Sequence, residues 1–209
     1  MYTPRFNQVS DRSILIEAMK AYAFAILFGP LNSTDNAAAP HHATHLPLIV
    51  KDEGPHGLLE GHFAKANTHW QSLANRETLV VFPGPHSYVS PSLYAEELSV
   101  PTWNYVTIHA YGTLELIEDD AGKDALLSGL IQANEPAYAE QWRSLPDGFR
   151  RSMLGGIVGF RIPIARIEGK FKISQNRPES DRRAVYAAHA AGSPDQQQLA
   201  AWMKRLIEW

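Results

Sequence analysis

Eight of the nine histidines in this chain (His41, His42, His45, His56, His62, His69, His86 and His109) fall between residues 41 and 109. Imidazoles at that density can ligate a metal, move a proton or hydrogen-bond a heterocycle. Metal is the first chemistry to test. His41 and His45 share a face of an extended segment, yet at about 3.3 Å per residue they stand roughly 13 Å apart. One ion cannot reach both unless the chain bends, and His62 and His69 match no zinc spacing. No metal site is expected. The stretch Gly61-His62-Phe63-Ala64-Lys65-Ala66-Asn67 offers a different chemistry. It leads from an apolar run into a helix start. A lysine, an asparagine amide and the backbone N–H groups of a helix N-terminus together suit a phosphate. A plainer role also fits, in which Asn67 caps the helix and Lys65 meets water.

Two later sets could touch a ligand. Tyr88, Tyr94, Trp103, Tyr105 and Tyr111 recur along two strands. They could stack on a flat ligand or a partner subunit, or fill a core. In Gly169–Arg177, the two-residue period puts Lys170, Lys172, Ser174 and Asn176 on one face. That face is either a second anion contact or a solvated edge. No GxSxG elbow, GxGxxG or P-loop occurs, and Gly155, Gly156 and Gly159 precede a strand, not a helix. Asp119 and Asp120 suit a helix start. No catalytic residue is nominated.

The elements that must hold these residues follow from pattern. Ser10 or Asp11 can cap a helix over about 11–21. YAFAILFG reads as a strand closed by Gly29-Pro30, and 31–42 as a loop next to the site. Residues 43–50 and 57–63 read as a hairpin around Lys51–His56. A short helix covers Trp70–Ala74. ETLVVF is a buried strand stopped by Pro83-Gly84-Pro85, and HSYVSPSLY is a further strand broken at Pro91. Residues 100–117 form a long strand with a bulge at Gly112. Helices cover about 118–133 and 136–153. Residues 156–174 form another long strand, in which Pro163 implies an edge, a bulge or a strand end. Helices at about 179–190 and 195–207 close the chain. Helices come singly between runs of strands, without βαβ alternation. The fold class expected is mainly β with appended helices, an antiparallel barrel or sheet.

Composition sets the outer limits. The chain has 209 residues, 44% of them hydrophobic, so one sizeable core is within reach. It has no Cys, hence no disulfide and no thiolate chemistry, which fits a reducing cytoplasm. A formal net charge of −3 argues against a large nucleic-acid footprint. No apolar run of membrane-spanning length or secretory signal core is present.

Taken in order, the segments resemble the PaiB-type FMN-binding negative transcriptional regulators. The matching pieces are Tyr2, Pro4 and Phe6; Ala43-Thr44-His45-Leu46-Pro47; and Gly61 to Asn67 with His69-Trp70. They continue with Val81-Phe82-x-Gly84-Pro85-His86-x-Tyr88-Val89-Ser90-Pro91, Val100-Pro101-Thr102-Trp103-Asn104-Tyr105, and Ile167-Glu168-Gly169-Lys170-Phe171-Lys172-x-Ser174-Gln175-Asn176-Arg177. Leu93 stands where that family's pattern has Trp. The resemblance implies an FMN-binding split β-barrel of the flavin-reductase type over 1–178, with a C-terminal helical appendage at 179–209. It implies a homodimer with FMN at or near the subunit interface. By the same analogy Thr44, His45, Leu46 and Pro47 lie along the isoalloxazine, and His62, Phe63, Ala64, Lys65 and Asn67 hold the ribityl phosphate. Trp103, Asn104, Lys172, Ser174 and Gln175 approach from the other side or from the partner subunit. The function implied is negative transcriptional regulation in the cytoplasm. DNA contact through Arg182-Arg183 and Lys204-Arg205 stays open, because solvated helix faces explain those pairs equally. The alternative is a flavin-dependent oxidoreductase acting on a small molecule with NAD(P)H. A haem handler with an axial His is the third reading.

Overall fold

The computed structural model describes residues 1–30, 41–207 and 209. Most of the loop expected at 31–42 lies outside them. Its last two residues, His41 and His42, already belong to a strand. The described strands form one nine-stranded sheet with its path in the order β3-β2-β6-β7-β9-β5-β4. These are β2 (Phe24–Pro30), β3 (His41–Pro47), β4 (Ile49–Lys51), β5 (Leu58–Ala64), β6 (Glu77–Val89), β7 (Thr102–Thr113) and β9 (Ile157–Lys172). Two short strands, β1 (Gln8–Val9) and β8 (Glu115–Ile117), pair with β9 off that path. The pairings with a defined register are antiparallel, as the sequence leads one to expect.

The chain divides into two compact units, and β6, β7 and β9 each contribute to both. One comprises Ile16–Phe82 and His109–Ile167. In it β2 pairs with β3 from Phe24↔Pro47 to Pro30↔His41, and β5 pairs with β9 from Ala64↔Ile157 to Leu58↔Pro163. Leu27, Leu59, Phe63, Leu73, Val80, Phe82, Phe160 and Ile162 are fully buried there. Each large apolar side chain so placed contributes about 1.5–3 kcal/mol. Gly61 lets β5 close on this core, since a Cβ there would stand 2.7 Å from Leu48 Cδ2 and 2.8 Å from Phe160 Cζ. Helices α2 (His69–Leu73), α3 (Asp120–Asn134), α4 (Ala139–Ser144) and α5 (Asp147–Gly155) belong to this unit. Asp119 caps α3 by accepting from Gly122 N at 2.8 Å, as its position at a helix start suggests.

The other unit comprises Met1–Leu15, Pro83–Ile108 and Glu168–Trp209. Helix α1 (Arg12–Ala21) starts in it, where Asp11 accepts from Ser13 N at 2.8 Å. Helices α6 (Glu179–Ala190) and α7 (Pro194–Leu206) pack on each other, and a capping box between Ser193 and Gln196 starts α7. Phe171, Ile173, Val185, Leu199 and Met203 are fully buried there.

Three expectations are corrected. Residues 43–50 do not pair as one strand with 57–63. The run breaks at Leu48: β3 turns to β2, and only β4 meets β5, from Ile49↔Glu60 to Lys51↔Leu58. The Pro83-Gly84-Pro85 stop is no stop, because β6 runs unbroken to Val89. Its register with β2 covers only 79–81, so beyond it one side of β6 has no β2 ladder that needs a proline N–H. Gly84 meanwhile lets β7 approach, since a Cβ would lie 2.9 Å from Val106 O. The strand expected at 100–117 divides at Leu114, which bridges to Ala74. Pro163 is the last residue of the β5 ladder, the strand-end reading of its position.

Candidate functional site

The expected site residues gather in two groups, one in each unit. The first centres on a triangle of Thr44, Asn67 and His69, in which Thr44 and His69 are buried and Asn67 is half-buried. The alternation of β3 turns Thr44 inward while Ala43, His45 and Pro47 stay exposed, with Leu46 half-buried. The Thr44 hydroxyl shares a hydrogen bond with His69 Nδ1 at 2.9 Å and accepts from Asn67 Nδ2 at 3.4 Å. Asn67 Oδ1 in turn accepts from His69 N at 3.1 Å, which fixes the start of α2. His69 is fully buried, edge-on to His42 at 4.8 Å and to Phe63 at 6.4 Å. Burial first, and His42 next, hold its pKa below the ordinary histidine value. Both effects favour the neutral ring over the charged one.

Lys65 follows β5 with its side chain exposed, and no carboxylate pairs with it among the described residues. Its backbone is fixed from both directions: its N–H donates to Gly156 O at 2.9 Å, and its carbonyl accepts from Trp70 Nε1 at 3.3 Å. Two of the backbone amides expected to face an anion here, those of Lys65 and Asn67, are already spent. Asn67 N already donates to Ala64 O at 2.9 Å, and α2 is only five residues long.

The strand period separates the remaining residues of this segment. Phe63 points into the core and packs on Phe160 at 5.0 Å. His62 takes the opposite face of β5, half-buried, with Nδ1 unpartnered among the described residues. Burial pushes its pKa down. The structure thus joins Thr44, Asn67 and His69, and sends the His62 ring elsewhere. His69 was missed as a site residue. Its signal was the His-Trp pair after Asn67, but histidine density directed attention to metal. Among the described residues no three His, Asp or Glu side chains converge on one point.

The second group lies on β7 and the end of β9. Trp103 is half-exposed, flanked by His86 at 5.5 Å and Tyr88 at 6.3 Å. Asn104 faces the other way, fully buried, and exchanges hydrogen bonds with the Ser174 side chain at 3.0 and 3.1 Å. Ser174 has φ +67°, a left-handed conformation that costs a non-glycine residue energy. The Asn104 bond holds it there. Gln175 spends its amide on its own strand, accepting from Ile173 N at 2.8 Å and donating to Phe171 O. Lys172 donates to Trp103 O at 2.8 Å and to Thr102 Oγ1. Ser174 and Gln175 therefore shape a turn, while Trp103 and Lys172 form the surface that turn presents.

Comparison with known proteins adds the following. Residues 1–166 match the family model described as "Putative FMN-binding domain". The chain is 32% identical over 210 residues to the Protease synthase and sporulation protein PAI 2 of Bacillus subtilis strain 168, covering 98% of this chain and 97% of that protein. An uncharacterized Saccharomyces cerevisiae protein is 37% identical over 95 residues, covering 42% of this chain and 54% of its own. Among solved structures, the flavocytochrome Anf3 of Azotobacter vinelandii superposes with a TM-score of 0.58 at 16% identity, covering 81% of this chain and 72% of that one. An FAD and heme binding protein of Mycobacterium smegmatis gives 0.58 at 17%, covering 90% and 81%. A conserved hypothetical protein of Mycobacterium tuberculosis gives 0.61 at 11%, covering 86% and 95%. These structural likenesses show a shared fold, the flavin-binding split barrel.

Proposed function

The chain belongs to the FMN-binding domain family of PaiB, and from that premise we propose that it binds FMN as a homodimer and acts as a negative regulator of transcription. The observation that carries the flavin reading is the Thr44–Asn67–His69 triangle beside the unpaired Lys65. The donor set fits FMN. The exposed residues of 43–47 form a wall for the isoalloxazine, and the Lys65 ammonium and Asn67 amide take the phosphate. Ala64 leaves room beside Lys65. The further residues that the resemblance brings to the cofactor, Trp103, Asn104, Lys172, Ser174 and Gln175, form a separate group in the other unit. FMN, when bound, supplies electron and hydride transfer. The protein's part is to orient the ring and neutralise the phosphate. We take 1–178 as the FMN-binding part and α6–α7 as its helical appendage.

Titration of the flavin-free chain with FMN tests this reading. Quenching of flavin fluorescence should saturate at one FMN per chain. Lys65→Ala should weaken binding by about 1–3 kcal/mol, the cost of one charged hydrogen bond. A variant that titrates like wild type removes Lys65 from the site, and absence of quenching removes the flavin. The regulatory reading rests on the relation to the Bacillus subtilis protein, whose name ties it to protease synthesis and sporulation. A salt-sensitive shift of a specific promoter fragment supports it. Steady NAD(P)H turnover by the FMN-loaded chain would instead favour the oxidoreductase reading.

The homodimer is supported by an apolar face on β2, β3 and β6. Phe24, Ile26 and Phe28 lie across from Pro47, His45 and Ala43, with Val81 and Leu79 on the other side. Phe24 is 61% exposed and Phe28 38%. Such a contiguous patch suits a second copy of the same face.

A further inference from the structure

We propose that Lys170, Lys172 and Arg177, with the Trp103 ring beside them, form a second anion site that takes the phosphate or pyrophosphate of a ligand other than the flavin. Lys170 and Lys172 share a face of β9 by the two-residue period. Lys170 Nζ lies 5.3 Å from the Tyr105 ring and 5.5 Å from the Tyr2 ring, and donates to Tyr2 O at 3.0 Å. Lys172 sits at the Trp103 carbonyl. Arg177 stacks on Tyr94 at 3.9 Å. These cations are fixed by rings and carbonyls, which leaves their charge uncompensated.

Elsewhere in the molecule cations meet acids: Lys51 with Glu60, Arg161 with Glu115, Arg150 with Asp147, Arg183 with Glu179. Among the described residues no carboxylate pairs with Lys170, Lys172 or Arg177. The acids that flank this segment in sequence are committed: Glu168 to the Met1 amine at 2.6 Å, Glu179 to Arg183 at 2.7 Å, and Asp181 to Ala95 N at 3.0 Å. Burial first, then Lys170 and Arg177, push the Lys172 pKa below that of a free lysine. A chain of net charge −3 that gathers three unneutralised cations on one face has a potential there which an anion relieves. The half-exposed Trp103, with Tyr88 and His86 around it, adds a stacking surface for the planar part of the same ligand. The proposal rests on the flavin reading in one respect: the single phosphate of FMN is already assigned to Lys65 and Asn67. Three more cations exceed its need.

Inorganic pyrophosphate is the probe, titrated by calorimetry into the chain with and without FMN. Saturable binding at one per chain is expected in both states. Lys170→Gln and Arg177→Gln should each weaken it about tenfold, as loss of a charged contact does. Arg161→Gln makes the same change in net charge and should bind as wild type does. Wild-type chain provides a measurement that needs no variant: pyrophosphate should slow acetylation of Lys170 and Lys172 several-fold, read by mass spectrometry. No saturable binding, equal weakening by Arg161→Gln, unprotected lysines, or loss of the site on FMN loading would each overturn the proposal. Pyrophosphate binding by a chain that takes up no FMN would sink the flavin reading and leave the anion site standing.

Discussion

At the scale of the residue, the least exposed histidines set a pH limit. His62, His69 and His189 are each held below the ordinary value of 6.5, by burial first in every case. Both ring nitrogens of His189 are buried and lack hydrogen-bond partners among the described residues. The unfolded chain takes up protons near pH 6.5, while the folded chain keeps these rings neutral to lower pH. In that window the unfolded state binds more protons, so stability rises with pH. The stability is complete above the unfolded value and is lost as pH falls below it toward the folded values. Urea midpoints should therefore drop between pH 7.5 and 5.5, and His189→Leu should flatten part of that slope. Equal slopes would remove His189 from the account. Much of this scale was legible in the sequence. Lys65 and Asn67 were identified by type and spacing and Thr44 by the resemblance, and two of the three share one network. The partner that joins them was not, because His69 meets Thr44 from 25 residues away, and no local pattern encodes that contact.

At the scale of the element, hydrophobic period located nearly every strand and helix, and acid caps marked the starts of α1 and α3. Pairing was less legible. A run such as 43–50 carries one alternation, but Leu48 divides it between two different neighbours. Prolines looked like stops in β6 because a sequence does not reveal which side of a strand has a neighbour. Where an element ends also proved to matter chemically. The turn after β9 depends on Asn104, whose amide is wholly buried against Ser174. Asn104→Ala leaves that hydroxyl buried without a partner, which should cost about 1–3 kcal/mol in urea denaturation. The larger expected effect is local: with Ser174 released from its left-handed conformation, Lys172 loses its position. A variant as stable as wild type would show that the turn holds without the bond.

At the scale of the whole molecule, the family was legible from long motifs spread along the chain, and the mainly antiparallel fold from unevenly placed helices. Oligomeric state has no such motif and must be read from exposed surface. Phe24→Glu places a charge at the more exposed of the two rings on the apolar face of β2. Size-exclusion with light scattering should give a dimer for wild type and a monomer for the variant, and a dimer in both would move the interface elsewhere. A quieter feature bears on whether the chain stays in solution at all. The ladder of β1 on β9 ends at Gln8↔Lys170. Just past it, Phe171 O and Ile173 N lie on one side of the strand, and the Gln175 amide fills both. One side chain thus stands in for a missing neighbouring strand and blocks the place where another chain could add by edge-to-edge pairing. Gln175→Glu keeps the acceptor and loses the donor. The expected result is a lower onset temperature for turbidity, with fibrillar dye-binding aggregates growing from an edge the native protein keeps closed.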